Sequence, residues 1–298
     1  GVDFTPDMAR LWPGVLQAVR YISPGPWVLW RGLSRFGYDK NLKMIDDYLY
    51  RIIALRRANP GREDDLLGAL IHNPAMDDDL IRDQLMTMLI AGHDTSTATL
   101  AWTLYLLGKY PDALQRAQAE VTNVLGDGPP RFEQIRQLTY LSQVIDESLR
   151  LFPPIHLGSR TAAVDLEFKG YHIPAGTRVL YSIYLTHRHP TYWKNPNTFD
   201  PGRFAPGQPR PAPYTYLPFG GGPRNCIGAA FASVEAKVVL ARILQKRELH
   251  YQGGDARPYM GATLEPRPGV PMSSRWLASD TDTQFSLKHD IRANPLEE

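Results

Sequence analysis

The sequence predicts a mainly α fold with a small β portion. Three observations predict it. Two long runs, about residues 77 to 108 and the stretch following Cys226, carry apolar residues at helical spacing. Three short runs bounded by turn residues, Asp165–Phe168, Tyr171–Ile173 and Thr177–Tyr181, read as strands. Residues 192 to 218 are rich in proline and aromatic residues with no period, and read as ordered coil.

Taken in order, residues 1 to 40 carry Trp12, Trp27 and Trp30 among Pro-Gly breaks and read as short helices and a loop. Residues 41 to 58 form a helix with an apolar face of Leu42, Ile45, Leu49, Ile52 and Ile53. Pro60 to Asp65 ends it and starts another helical turn. Met76-Asp77-Asp78-Asp79 supplies the cap of the long helix at 77 to 108. A turn at Lys109-Tyr110-Pro111 leads into a polar-faced helix ending at Leu125, and Gly126 to Pro130 breaks the chain. A short helix near 131 to 137 precedes a better one from Tyr140 to Leu151, which Phe152-Pro153-Pro154 stops. The strands follow, with turns at Gly170 and Pro174-Ala175-Gly176. After the coil comes the cysteine loop and its helix. Residues 257 to 276 read as short strands, and 277 to 298 as a polar, mobile tail. No internal repeat is visible.

At 298 residues the chain holds one domain or at most two, and 43% hydrophobic residues suffice for a sizeable core. A net charge of +2 gives no reason to expect a nucleic-acid partner. A single cysteine excludes an intrachain disulfide framework. The apolar run Leu85 to Leu107 approaches membrane-span length, but Gly92-His93-Asp94-Thr95-Ser96-Thr97 lies in its middle and argues for a buried helix in a soluble, cytoplasmic protein. Gly1-Val2-Asp3 is neither a signal peptide nor an initiator methionine, so the chain reads as a piece whose N-terminus lies elsewhere.

The lone cysteine, Cys226, stands in Phe219-Gly220-Gly221-Gly222-Pro223-Arg224-Asn225-Cys226-Ile227-Gly228. A free cysteine is commonly a small buried hydrophobe. Here three glycines and a proline force a loop, and a helix follows. At the entrance to a helix, backbone amides and the positive dipole end favour a thiolate, which suits a metal better than a core. In the long helix, Ala91 and Thr95 are four apart and share a face. The threonine hydroxyl can bond the carbonyl four back and bend the helix, and Gly92 lowers the resistance. That places an acid, Asp94, and an alcohol beside an opened carbonyl ladder, unless the run merely faces solvent. Glu147 and Arg150, three apart, read by default as a surface contact. His156, His187 and His189 lack zinc-type spacing and read as polar loop histidines.

The pattern Phe-x-x-Gly-x-Arg-x-Cys-x-Gly resembles the haem-ligand loop of the cytochrome P-450 family in every fixed position. Ala91-Gly92-His93-Asp94-Thr95 and Glu147-Ser148-Leu149-Arg150 resemble its proton-delivery helix and its Glu-x-x-Arg helix. The resemblance covers about residues 40 to 276. It implies a cytochrome P-450 fold that is N-terminally incomplete, with a monooxygenase domain over 1–276 and a tail over 277–298. It implies haem b, with Cys226 as the proximal thiolate on iron and Phe219 and Gly228 in the same loop. Ala91 and Gly92 would line the oxygen pocket, and Asp94 and Thr95 would guide protons. Arg160 and Arg224, which otherwise read as surface arginines, would pair with the haem propionates. Arg203 would join Glu147 and Arg150 in a buried structural network, although the family usually has glutamate where this chain has Gly202. His156 to Ser159 and Ala262-Thr263 would border the substrate.

The reaction implied is insertion of one oxygen atom from dioxygen into an organic substrate. Electrons would come from a reductase or ferredoxin and ultimately from NAD(P)H. The spelling Gly-Gly-Pro-Arg-Asn-Cys-Ile-Gly, with His187-Arg188 upstream, is similar to the fatty-acid branch and points to a small lipophilic substrate. Family members are longer at the N-terminus, where a membrane anchor could lie. Their Trp-x-x-x-Arg helix is spelled at Trp27 to Arg31, but too close to Ala91, and reads as coincidence. Two rivals remain: a non-catalytic haem-binding protein, and a peroxide-rearranging enzyme of the same fold. An intact Asp94-Thr95 pair disfavours both, and turnover with a reductase and NAD(P)H separates the three.

Overall fold

The computed structural model describes residues 11, 13–15, 37–59 and 65–277. The expectations for Trp27 to Arg31, Pro60 to Asp64 and the tail from residue 278 lie outside these.

The core is built on α3 (Asp78–Lys109). Asp77 caps it, accepting from Leu80 N at 2.8 Å, as its place before the apolar run predicts. The C-terminal half of α3 packs against α4 (Pro111–Leu125), α6 (Thr139–Leu151) and α8 (Ala229–Lys246). The buried positions of α4, Ala113, Ala117, Val121 and Leu125, recur every fourth residue and form one ridge. Leu141, Val144, Leu240 and Ala241 meet Trp102 and Leu107 in the same cluster, all fully buried. Trp102 stacks on Phe152 with ring centroids 3.7 Å apart and donates Nε1–H to Leu264 O at 2.9 Å. Both needs of an indole, apolar area and one acceptor, are met. No helix among the described residues is long and apolar enough to cross a membrane.

The N-terminal half of α3 carries a second layer. There α1 (Tyr38–Ala58) buries Ile45, Tyr48, Leu49, Ile52 and Ile53, and begins three residues earlier than its pattern predicts. The short α2 (Leu66–Ile71) is capped by Asp65, which accepts from Gly68 N at 2.8 Å. The one-turn helix α5 (Phe132–Ile135) precedes α6.

The β portion consists of two-stranded antiparallel sheets. β2 (Leu166–Phe168) and β3 (Tyr171–Ile173) form a hairpin whose turn residues Lys169 and Gly170 both have positive φ, 49° and 83°. A two-residue turn of that kind matches strand twist. β1 (Leu157–Thr161) pairs with β4 (Arg178–Ser182), which runs into a short α7 (Ile183–Thr186). β5 (Arg247–Tyr251) pairs with β8 (Met272–Trp276), and β6 (Arg257–Met260) with β7 (Leu264–Arg267). β1 adds a strand that the three expected runs do not include, and Arg160 sits on it. Leu-Gly-Ser-Arg-Thr shows no alternation, and its partner strand is distant in sequence, so no local signal marks it.

Residues 192–218 lack regular structure except the 3-10 turn Pro201–Phe204. They are held by Glu147 and Arg150, both fully buried. Arg150 donates Nε–H and Nη2–H to the two oxygens of Glu147, each at 2.7 Å. It also reaches the carbonyls of His187 at 2.9 Å, Pro196 at 2.7 Å and Thr198 at 3.2 Å. Glu147 Oε1 accepts Asp200 N at 2.9 Å and Arg203 Nε at 3.3 Å. The default surface contact is thus overturned, and the buried network implied by the resemblance is present.

His187 overturns the polar-loop reading. It is fully buried, with Nδ1 3.2 Å from Arg150 O, and its Nε2 accepts Leu217 N at 2.7 Å. The reason is positional: its loop crosses directly over Arg150. Burial pushes its pKa down to about 4. Nearby, Tyr216 donates to Asp146 O at 3.0 Å and Oδ1 at 3.1 Å, and burial pushes the Asp146 carboxyl up to about 6.

Two predictions follow from this packing. Trp102→Ala removes the stack and the indole bond, and should cost about 3–5 kcal/mol in urea unfolding. The second concerns pH. Between pH 4 and 6.5 the unfolded chain protonates His187 while the native state leaves it neutral, so this group's contribution is lost on acidification. Asp146 acts oppositely, because the native state holds its proton up to pH about 6 while the unfolded chain releases it near 3.8. The two effects, about 3 kcal/mol each, nearly cancel. Relative to the parent, Asp146→Asn should lose stability more steeply from pH 6.5 to 4, and His187→Gln should gain it. Parallel profiles would contradict both assignments.

Candidate active site

Three glycines shape the Cys226 loop. Gly220 and Gly222 have φ of 77° and 71°, a region that strains any residue with a Cβ. The loop closes through Cys226 N donating to Phe219 O at 2.9 Å, and the half-buried Phe219 ring packs on the helical core. Gly222–Arg224 is a 3-10 turn, and Asn225 N returns to Gly222 O at 3.0 Å. Leu217, just upstream, is fixed by His187. Gly228 is the N-cap residue of α8, and its carbonyl accepts Ala232 N at 2.8 Å. A Cβ on Gly228 would lie 3.8 Å from Cys226 Sγ, an ordinary contact.

The helix begins at Ala229, so Ile227 and Gly228 form a turn between cysteine and helix. The loop presents an exposed Cys226. Its neighbours Ile227 and Phe231 are 96% and 69% exposed. A large apolar side chain at that exposure needs a partner to leave water.

On α3, Thr95 donates its hydroxyl to Ala91 O at 2.7 Å, as the spacing predicts. The helical pattern nevertheless runs unbroken through Gly92, so the expected opening of the carbonyl ladder is not observed. A carbonyl oxygen has two lone pairs and can take the hydroxyl while keeping its helical amide. Ala91 and Gly92 are exposed, and no atom lies within 4 Å of a Cβ placed on Gly92. Asp94 is half-buried and bonded to His93.

One contact joins the two segments. Ser96 donates Oγ–H to Glu235 Oε2 at 2.7 Å. Ser96 directly follows Thr95, and Glu235 lies in the second turn of α8 beyond the cysteine loop. The bond spans 139 positions in sequence, so no local pattern announces it.

Arg160 and Arg224 are both exposed. Arg160 donates to Ser159 O at 2.8 Å and lies 5.6 Å from the Tyr181 ring centroid. Among the described residues neither guanidinium has a carboxylate partner, and neither bonds to Asp94, Thr95 or Cys226. Beside α3, Leu264 N donates to Pro154 O at 2.9 Å, which brings the turn at Ala262-Thr263 to the segment starting at His156. His156 is half-buried, its Nδ1 lacks a hydrogen-bond partner, and burial lowers its pKa.

These donors fit haem. Among the described residues no three His, Cys, Asp or Glu side chains cluster to cage a metal. A single presented thiol therefore suits an ion whose equatorial ligands come from a macrocycle. Exposed apolar side chains beside the thiol suit its face, and two guanidiniums without acid partners suit its carboxylates.

Comparison with known proteins agrees. The family pattern described as cytochrome P-450 matches residues 17–269. The chain is 35% identical over 257 residues to cytochrome P-450 4d2 of Drosophila melanogaster, covering 78% of this chain and 51% of that one. It is 37% identical over 239 residues to cyclooctatin synthase of Streptomyces melanosporofaciens, covering 78% and 49%. The solved structure of the cytochrome P-450DA heme domain superposes with a TM-score of 0.82 at 32% identity, over 90% of this chain and 61% of that one. The chain thus spans about half the length of these curated relatives. A glycine-bounded cysteine loop, a Glu-x-x-Arg network and a threonine-bearing core helix occur here in one matching fold, and the chain belongs to the cytochrome P-450 family.

Proposed function

We propose that the protein carrying this chain is a haem-thiolate monooxygenase that inserts one oxygen atom from dioxygen into a small lipophilic substrate. The observation that carries this reading is the Ser96–Glu235 bond. It ties the helix bearing Asp94 and Thr95 to the helix that follows the exposed Cys226. Bound haem supplies dioxygen activation, with thiolate electron push toward O–O cleavage.

The chain's own residues do the rest. Cys226 ligates through Sγ, and the glycine loop fixes its approach. Arg160 and Arg224 hold carboxylates at the haem edge by guanidinium forks. The small residues Ala91 and Gly92 leave room beside the helix. Thr95 donates its one O–H to Ala91 O, so its oxygen is left to accept from and hold a proton-carrying water beside the helix. Asp94, bonded to His93 and, among the described residues, to no arginine or lysine, is the group proposed to hold and release that proton. His156 and the turn at Ala262 border the substrate. Electrons come from a reductase or ferredoxin, ultimately from NAD(P)H.

The test is turnover of the full-length haem protein with a reductase and NAD(P)H. Thr95→Ala and Asp94→Asn should keep haem but lower product formation about 10²-fold, with peroxide released instead. Undiminished product per reducing equivalent in both variants would contradict proton delivery. Product from an organic peroxide but none from dioxygen would favour the rearranging enzyme.

A further inference from the structure

Asp94 has one hydrogen-bond partner among the described residues. His93 Nδ1 lies 2.7 Å from its Oδ1. Successive residues on a helix point about 100° apart, so adjacent side chains do not ordinarily face each other. Both side chains must lean along the helix to meet. They are not loose surface groups, being 33% and 22% exposed. The pair stands beside the carbonyl that Thr95 engages.

The chemistry of the bond fixes its direction. A carboxylate oxygen only accepts, so the ring carries its proton on Nδ1. In the neutral tautomer Nε2 is then the acceptor, and it faces Thr97 Oγ1 at 3.5 Å. Oδ1 is occupied by His93, which leaves Oδ2 as the oxygen that can carry a transferable proton. Thr95 makes no bond to Asp94; its hydroxyl is committed to Ala91 O. Nothing else among the described residues orients the acid.

We propose that His93 is a positioning residue for Asp94, resting on the proton-delivery reading above. Its Nδ1–H fixes the carboxyl rotamer and directs Oδ2 to the transfer. In that transfer the O–H bond at Oδ2 breaks, its proton passes to a water hydrogen-bonded to Oδ2, and the carboxylate left behind is reprotonated at Oδ2 by a hydronium ion from solvent. His93 keeps its own proton throughout.

The full-length haem protein tests this in two ways. The first needs no turnover. With 15N-labelled histidine in the reduced, carbon-monoxide-bound and diamagnetic form, His93 should show a proton on Nδ1, and Asp94→Ala should shift that resonance or move the proton to Nε2. Unchanged His93 nitrogen shifts would overturn the inference. The second is coupling. His93→Leu should raise peroxide released per NAD(P)H by about tenfold, less than the roughly 10²-fold a full 1 Å misplacement can cost. His93→Asn puts an amide donor near the place of Nδ1 and should restore coupling. If Asp94→Ala uncouples but His93→Leu does not, or if asparagine fails to rescue, His93 does not position the acid. If Asp94→Ala itself leaves coupling intact, the proton-delivery reading fails and the inference falls with it.

Discussion

The contact between Glu147 and Arg150 is the constraint on which the rest of this structure depends. Both groups are fully buried, and an ion pair removed from water is costly unless every lone pair and N–H finds a partner. Here they do. The guanidinium spends its donors on both carboxylate oxygens and on carbonyls at His187, Pro196 and Thr198. The carboxylate takes Asp200 N and Arg203 in addition. A segment with almost no secondary structure is thereby fixed along its first half, from Pro196 to Arg203. The order continues outward: His187, held over Arg150, holds Leu217, and Leu217 opens the cysteine loop. Gly202 leaves Arg203 without the usual second acid, and its Nη2 turns to Asn195 O at 2.9 Å instead.

The residues proposed for the site follow the opposite rule. Cys226, Arg160, Arg224, Ala91 and Gly92 are exposed. The Glu147–Arg150 network is satisfied within itself, whereas the proposed site leaves a thiol, two cations and helix surface exposed to a ligand. Such division is expected where a preorganised shell must receive a large cofactor without rearranging. The Ser96–Glu235 bond belongs to the scaffold side and sets the relation of the two helices at the site.

Much of this was legible in the chain. The period of α3 and α8, the capping run Met76 to Asp79, the turn at Gly170 and the glycine loop are local signals, and each reads correctly. The Glu147–Arg150–Arg203 network was legible only through family resemblance, because spacing alone suggests a surface pair. What could not be read is non-local. β1 and β5 show little alternation, and β5 continues from α8 without a breaker. His187 looks polar in sequence, and only the path of its loop across Arg150 buries it. The unbroken helix at Gly92 shows the limit of a correct hydrogen-bond prediction: the bond from Thr95 formed, but the opening inferred from it did not.

A buried carboxylate–guanidinium pair, remote from the thiol in sequence, is proposed to hold the thiol in place to ligate haem. Arg150→Lys keeps the charge but loses the planar fork. The decisive measurement is the absorption spectrum of the reduced, carbon-monoxide-treated full-length protein in this variant, with helix content followed by circular dichroism. Retained helices with loss of the far red-shifted band of a thiolate-bound haem are expected. A variant with full haem occupancy and an unchanged band would contradict the proposal.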